Sequence, residues 1–126
     1  MLAAQYDAYR PFPDLALKDE HTLAANIAEV AGLLAAYDGY RAPLNDKEAP
    51  LDDGFSGDQQ FSISYAQQRG SKSRDATLHQ QVPTDPHSPS KYRALTVRNL
   101  DAWYPAFDVK PGEKLFLTPD ERDRIW

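Results

Sequence analysis

A hydrolytic zinc site needs three protein ligands with a fourth position open, and nucleophilic catalysis needs a nucleophile beside a base. The residues available for either are few. The chain carries three histidines, His21, His79 and His87, and no cysteine. No two histidines are four apart, so the His-Glu-x-x-His arrangement, which sets two imidazoles one turn apart on a helix, is absent. His79 and His87 lie on either side of a proline-rich break and are read as a chance arrangement rather than a metal pair. Serine, histidine and aspartate all occur, but no Gly-x-Ser-x-Gly elbow does, and no phosphate-binding glycine loop is present. Carboxylate pairs such as Asp52-Asp53 sit in loop sequence with no burial signal. Without cysteine, disulfides, thiol catalysis and thiolate-bound zinc are excluded.

One stretch stands apart. Asp85-Pro86-His87-Ser88-Pro89 is followed by Tyr92-Arg93, and prolines at 83, 86 and 89 leave no room for a regular helix or a central strand there. A loop stiffened this way holds a side chain at low entropic cost. Read from the residues alone, the favoured reading is that His87 is a partly exposed loop residue and Arg93 a surface cation.

The elements that must position these groups are helical. Thr22 to Tyr40 places Leu23, Ile27, Val30, Leu34 and Tyr37 at spacings of 4, 3, 4 and 3, which stacks them on one face and predicts a core face there. Thr22 is the expected N-cap, with Asp19 and Glu20 favoured by the helix dipole. Gln5 to Tyr9 reads as the end of a helix, and Arg41 to Asp53 as a surface loop. Ser56 followed by Gln59 forms a capping box, which outweighs the apolar–polar alternation of Phe61 to Tyr65 and predicts a helix ended by Gly70. A further short helix is expected over Ser73–Val82, capped by Ser71 or Ser73 and stopped by Pro83. Lys91 to Asn99 is expected to be extended, with Asn99 capping a short helix through Trp103 and Phe107. Lys110 to Glu113 is a turn, and Thr118-Pro119-Asp120-Glu121 stacks a second capping box. Trp126 is expected to be anchored. The result is a mainly α chain of four or five helices with long proline-rich loops, and residues 1–126 read as a single domain.

The chain has 126 residues, one ordinary domain by size, with 41% hydrophobic and 26% charged residues. Its net charge of −5, with 14 basic and 19 acidic residues, speaks against a nucleic-acid partner. Arg69, Lys72 and Arg74 cluster and are read as a solvated helix terminus. No apolar run approaches the roughly 20 residues that span a bilayer, and Met1 to Arg10 shows no secretory signal, so a chain that starts at Met1 is expected to stay in the cytoplasm.

Leu23-Ala24-Ala25-Asn26-Ile27-Ala28-Glu29-Val30-Ala31-Gly32-Leu33 resembles the Leu-Gly-Glu-Asn-Ile-Ala-Asp-x-Gly-Gly-Leu signature of the neprilysin and endothelin-converting-enzyme family of zinc metallopeptidases. Asp85-Pro86-His87-Ser88-Pro89 through Arg93 is similar to that family's Asp-Pro-His-Ser-Pro-x-x-(Phe or Tyr)-Arg, and Gly54-Phe55-Ser56-Gly57-Asp58-Gln59 to its Gly-Phe-x-Gly-Asp-Gln helix start. The likeness continues in Arg98-Asn99-Leu100, in Ala106 to Gly112 and in the closing Arg-Ile-Trp. It implies the helical C-terminal subdomain of a thermolysin-like metallopeptidase.

By that resemblance His87 would stabilise an oxyanion, Asp85 would orient it and Arg93 would bond a substrate carbonyl. The family's third zinc ligand, a glutamate, falls on Ala25, and the aspartate that orients a zinc-bound histidine falls on Glu29. A methyl group cannot bind zinc, and Glu29 stands about 6 Å further along the helix. No metal and no cofactor are therefore expected for this chain, although the family uses zinc. Departures at Ala31, Ser62, Pro83 and Ala94-Leu95-Thr96 fit relaxed constraint. Three functional expectations follow: a non-catalytic peptidase remnant, one piece of a split peptidase whose His-Glu-x-x-His half lies elsewhere, or an interaction module for peptides or for a second copy of itself. No membrane partner is expected.

Overall fold

The computed structural model describes residues 2–17 and 19–125. Among these, six α-helices and three short 3-10 turns account for the regular structure, with two isolated bridges, Phe12 with Leu15 and Asp52 with Phe55, and no strands. The helices are α1 (Leu2–Asp7), α2 (Asp19–Arg41), α3 (Gly57–Gln68), α4 (Asp75–Thr84), α5 (Ser90–Ala94) and α6 (Trp103–Ala106). The mainly α expectation is met. No helix among the described residues is long and apolar enough to cross a membrane.

The long helix α2 is the spine, but its buried stripe is rotated from the expected one. Thr22, Asn26, Val30 and Leu33 are buried, whereas Leu23 and Ile27 are 37% and 40% exposed. Leu34 and Tyr37 pack partly buried as expected. The rotation has a polar cause. Asn26 Nδ2 donates to the Thr22 hydroxyl at 3.0 Å, and Asn26 Oδ1 accepts from Ser88 Oγ at 3.0 Å, so two polar side chains enter the interior already paired. Thr22 is thus an interior helical residue and not the N-cap, since α2 begins at Asp19.

Two hydrophobic clusters flank the spine. On one side Leu2, Tyr6, Leu17, Val30, Val82 and Tyr92 pack together, tying α1, α4 and α5 to α2. Tyr6 is 2% exposed, shares a 3.1 Å hydrogen bond with Thr96, and has its phenol pushed up to about 12 by burial. On the other side Leu33, Val97 and Leu100 are covered by Tyr37, Phe61, Tyr65 and Trp103, which docks α3 and α6.

Ser56 caps α3 as expected, in a reciprocal box with Gln59: Gln59 N donates to Ser56 Oγ at 3.3 Å and Ser56 N to Gln59 Oε1 at 2.9 Å. The second box holds too, with Thr118 N donating to Glu121 Oε2 at 2.8 Å, and Lys110 to Glu113 turns through Gly112 at φ 92°. Gly57 is required where it stands, because a Cβ there would lie 1.9 Å from the Tyr40 hydroxyl and 2.7 Å from Ala49 Cβ.

Four local expectations are corrected. Lys91 to Asn99 is not extended but runs as α5 and a 3-10 turn over Leu95–Asn99, because burial of Tyr92, Thr96 and Val97 outweighs β-branched preference. Asn99 does not cap α6. It is buried and exchanges hydrogen bonds with Gln5, while Oδ1 also accepts from Asp123 N at 2.8 Å. Pro83 lies inside α4, which ends one residue later at Thr84, and Arg74 rather than Ser71 or Ser73 occupies its N-cap position. The anchoring expected of Trp126 lies outside the described residues.

Candidate substrate groove and its ion cluster

A groove of about 660 Å3 opens between α2 and α3 and is also lined by His87. Its floor is the small-residue side of α2, formed by Ala25, Ala28, Gly32 and Ala36, and its far wall is formed by Gln60, Ser64 and Gln68 of α3. Glu29, Tyr65, Arg69, His87 and Arg93 supply the functional groups. The fold therefore brings Ala25, Glu29, His87 and Arg93 to one groove. Asp85 stands just behind His87.

The loop is held from both ends. Ser88 is 2% exposed and bonds to Asn26, which seats the loop against the turn of α2 next to Ala25. Asp85 Oδ1 accepts the His87 backbone N–H at 2.8 Å and stands 3.2 Å from His87 Nδ1, while Gln81 Nε2 donates to Asp85 Oδ2 at 3.3 Å. The His87 backbone N–H, foremost among these donors, holds the Asp85 carboxyl below its usual range. With Nδ1 engaged by Asp85, ring atom Nε2 is the one left for a ligand, and it donates only when the ring is doubly protonated. The imidazole itself is 54% exposed.

Glu29 is the most heavily bonded group in the groove. Its side chain is 7% exposed, and the carboxylate receives the Tyr65 hydroxyl at 2.6 Å and the Arg69 Nε and Nη2 groups on Oε1. Oε2 receives Arg93 Nε at 2.9 Å and Arg93 Nη2 at 2.6 Å. Burial alone would raise this carboxyl, but the Tyr65, Arg93 and Arg69 hydrogen bonds outweigh it and hold the group below its ordinary value. Tyr65 is pushed up, first by burial and then by the Glu29 carboxylate it serves. The Arg69 guanidinium also lies 5.3 Å from the centre of the Tyr65 ring.

Arg69 was missed by sequence reasoning, which placed it on a solvated helix terminus with Lys72 and Arg74. Lys72 and Arg74 are exposed, but Arg69 is drawn into the groove across 40 residues. The only local signal was its place at the C-terminal end of α3, where a cation is favoured anyway. His79 is also not near the groove: its ring stacks on Phe12 at 3.9 Å between centroids.

A divalent metal does not fit the residues present. Among the described residues no three histidine, cysteine, aspartate or glutamate side chains come together. Ala25 offers a methyl group, and both Glu29 oxygens are already saturated by cationic donors that would repel a metal ion.

The family model described as peptidase family M13 matches residues 1–123. The chain is 32% identical over 130 residues to Neprilysin-3 of Drosophila melanogaster, which covers 99% of this chain and 16% of that protein. It is 34% identical over 110 residues to endothelin-converting enzyme 1 of Bos taurus, covering 84% of this chain and 14% of that one. Two solved structures of the Mycobacterium tuberculosis zinc metalloprotease Zmp1, one in an open state and one in complex with an inhibitor, superpose with TM-scores of 0.92 and 0.93. Both are 39% identical and cover 99% of this chain and 20% of theirs. The chain thus spans about a sixth of the length of these curated relatives.

Proposed function

The chain belongs to peptidase family M13, and from that premise we propose that it is the substrate-side part of an M13 peptidase domain, corresponding to the C-terminal helical region and non-catalytic by itself. The observation that carries this reading is Ala25: it lines the groove beside Glu29, His87 and Arg93, in the place where the resemblance puts a glutamate ligand. No step through a metal is derived for this chain. What its own residues supply is a groove wall. His87, backed by Asp85, offers Nε2 to a group lying in the groove, and Arg93 keeps its remaining guanidinium N–H groups for a substrate carbonyl.

The test is zinc content and peptide hydrolysis by the pure chain. The expected result is less than stoichiometric zinc after dialysis and no cleavage of a quenched fluorescent peptide. One zinc per chain with chelator-sensitive cleavage would overturn the reading.

A second reading, a piece that docks on a separate catalytic half, is favoured by α2. Leu23 and Ile27 are exposed on the helix that should be the most buried, and unpaired apolar faces tend to become interfaces. It predicts co-purification with the preceding part of a family relative, weakened by Ile27→Asp. Failure of the two pieces to associate would remove it.

A further inference from the structure

We propose that the groove binds the carboxylate end of a short peptide, held by Arg69 and Arg93 together; the proposal rests on the metal-free reading above.

An arginine carries five N–H donors in a planar fork. Here each guanidinium spends Nε and Nη2 on a single oxygen of Glu29, and Nη1 of both Arg69 and Arg93 has no hydrogen-bond partner among the described residues. Two cations therefore share one anion. Among the described residues Glu29 is the only acidic one lining the groove, so its wall carries a net positive charge within a chain whose overall charge is −5. Each arginine side chain is about a quarter exposed, so the pair stands at the groove surface yet is partly shielded from water, where an ion contact weakens less.

The shape argues for a peptide rather than a bare anion. From Ala25 to Ala36 the floor runs along twelve residues of α2, about 16 Å at the helical rise, with no side chain longer than a methyl at Ala25, Ala28 and Gly32. An extended tripeptide fits that length, whereas an isolated anion fills one end. Ser64 and Gln68, one turn apart on α3, face the same space with groups that bond peptide amides.

The experiment follows the Arg69 and Arg93 Nε–H signals and the His87 amide by NMR at neutral pH. The probes are acetyl-trialanine as the free acid, its C-terminal amide, and acetate, each with and without zinc chloride. The free acid is expected to shift both arginine signals and saturate, with the amide and acetate each at least about tenfold weaker, or about 1.4 kcal/mol. Arg69→Gln should lower affinity for the acid about tenfold without changing the amide, and Arg69→Lys should retain binding in part, which separates lost charge from lost fold. Equal binding of acid and amide, or no arginine shift with either, would overturn the proposal. Acetate binding as tightly as the peptide would overturn its peptide part. Stoichiometric zinc uptake would sink the metal-free reading whatever the carboxylate result, so the two fail separately.

Discussion

Ser88 donates its hydroxyl to the side-chain oxygen of Asn26 at 3.0 Å, across 62 residues, with both side chains buried. This contact fastens the loop carrying His87 to the turn of α2 that carries Ala25. Ser88→Ala leaves Asn26 Oδ1 without a donor, at an expected cost of about 1–2 kcal/mol. Hydrogen exchange at the His87 amide, now bonded to Asp85, should accelerate more than exchange in α3. Equal acceleration everywhere would mean that the contact stabilises the fold but does not position the loop.

The Glu29 cluster should be the costliest polar site to break. Glu29→Gln removes the anion that two guanidiniums share, and an unbalanced buried charge costs about 3 kcal/mol, somewhat less here because the arginines are partly exposed. Chemical denaturation reads the loss directly. A change under about 0.5 kcal/mol would show that the cluster is solvated in solution.

The same cluster sets an acid dependence. The Glu29 carboxyl lies lower in the folded chain than in the unfolded one, so the unfolded state binds more protons as pH falls. The stability that Glu29 contributes is present above the ordinary carboxylate range near 4.5 and is lost as pH drops below it toward the folded value. Melting temperature against pH should slope upward through that window, and Glu29→Gln should flatten the slope.

Ser62 is 5% exposed and its hydroxyl has no partner among the described residues. Ser62→Ala removes the orphan donor and raises helix propensity, so it should stabilise by about 1 kcal/mol. A destabilised variant would reveal a bond to water that the fold depends on.

Gly57 and Tyr40 should be coupled. Gly57→Ala drives a methyl into the Tyr40 hydroxyl and should cost about 1–3 kcal/mol. Tyr40→Phe removes that oxygen, itself buried and without a partner among the described residues, and should recover part of the loss in the double variant. Strict additivity would place the clash elsewhere, at Ala49.

The sequence by itself determined what depends on neighbours within one or two turns. The α2 and α3 helices, both capping boxes, the turn at Gly112 and the proline-stiffened loop at His87 follow from local propensity and short-range hydrogen bonds. The absence of a histidine pair and the alanine at position 25 are likewise written in the chain. The tertiary structure decided which side of α2 is buried, because a pair of polar residues, Thr22 and Asn26, enters the core only when Ser88 arrives to complete their bonds. It also decided the conformation of Lys91 to Asn99, where burial overrode strand preference. Above all it decided the fate of Glu29. Its partners Tyr65, Arg69 and Arg93 lie 36, 40 and 64 residues away, and no periodicity in sequence encodes a carboxylate shared by two distant arginines. Such a contact exists only once packing has brought three elements to one groove and withdrawn the water that would otherwise keep the charges apart.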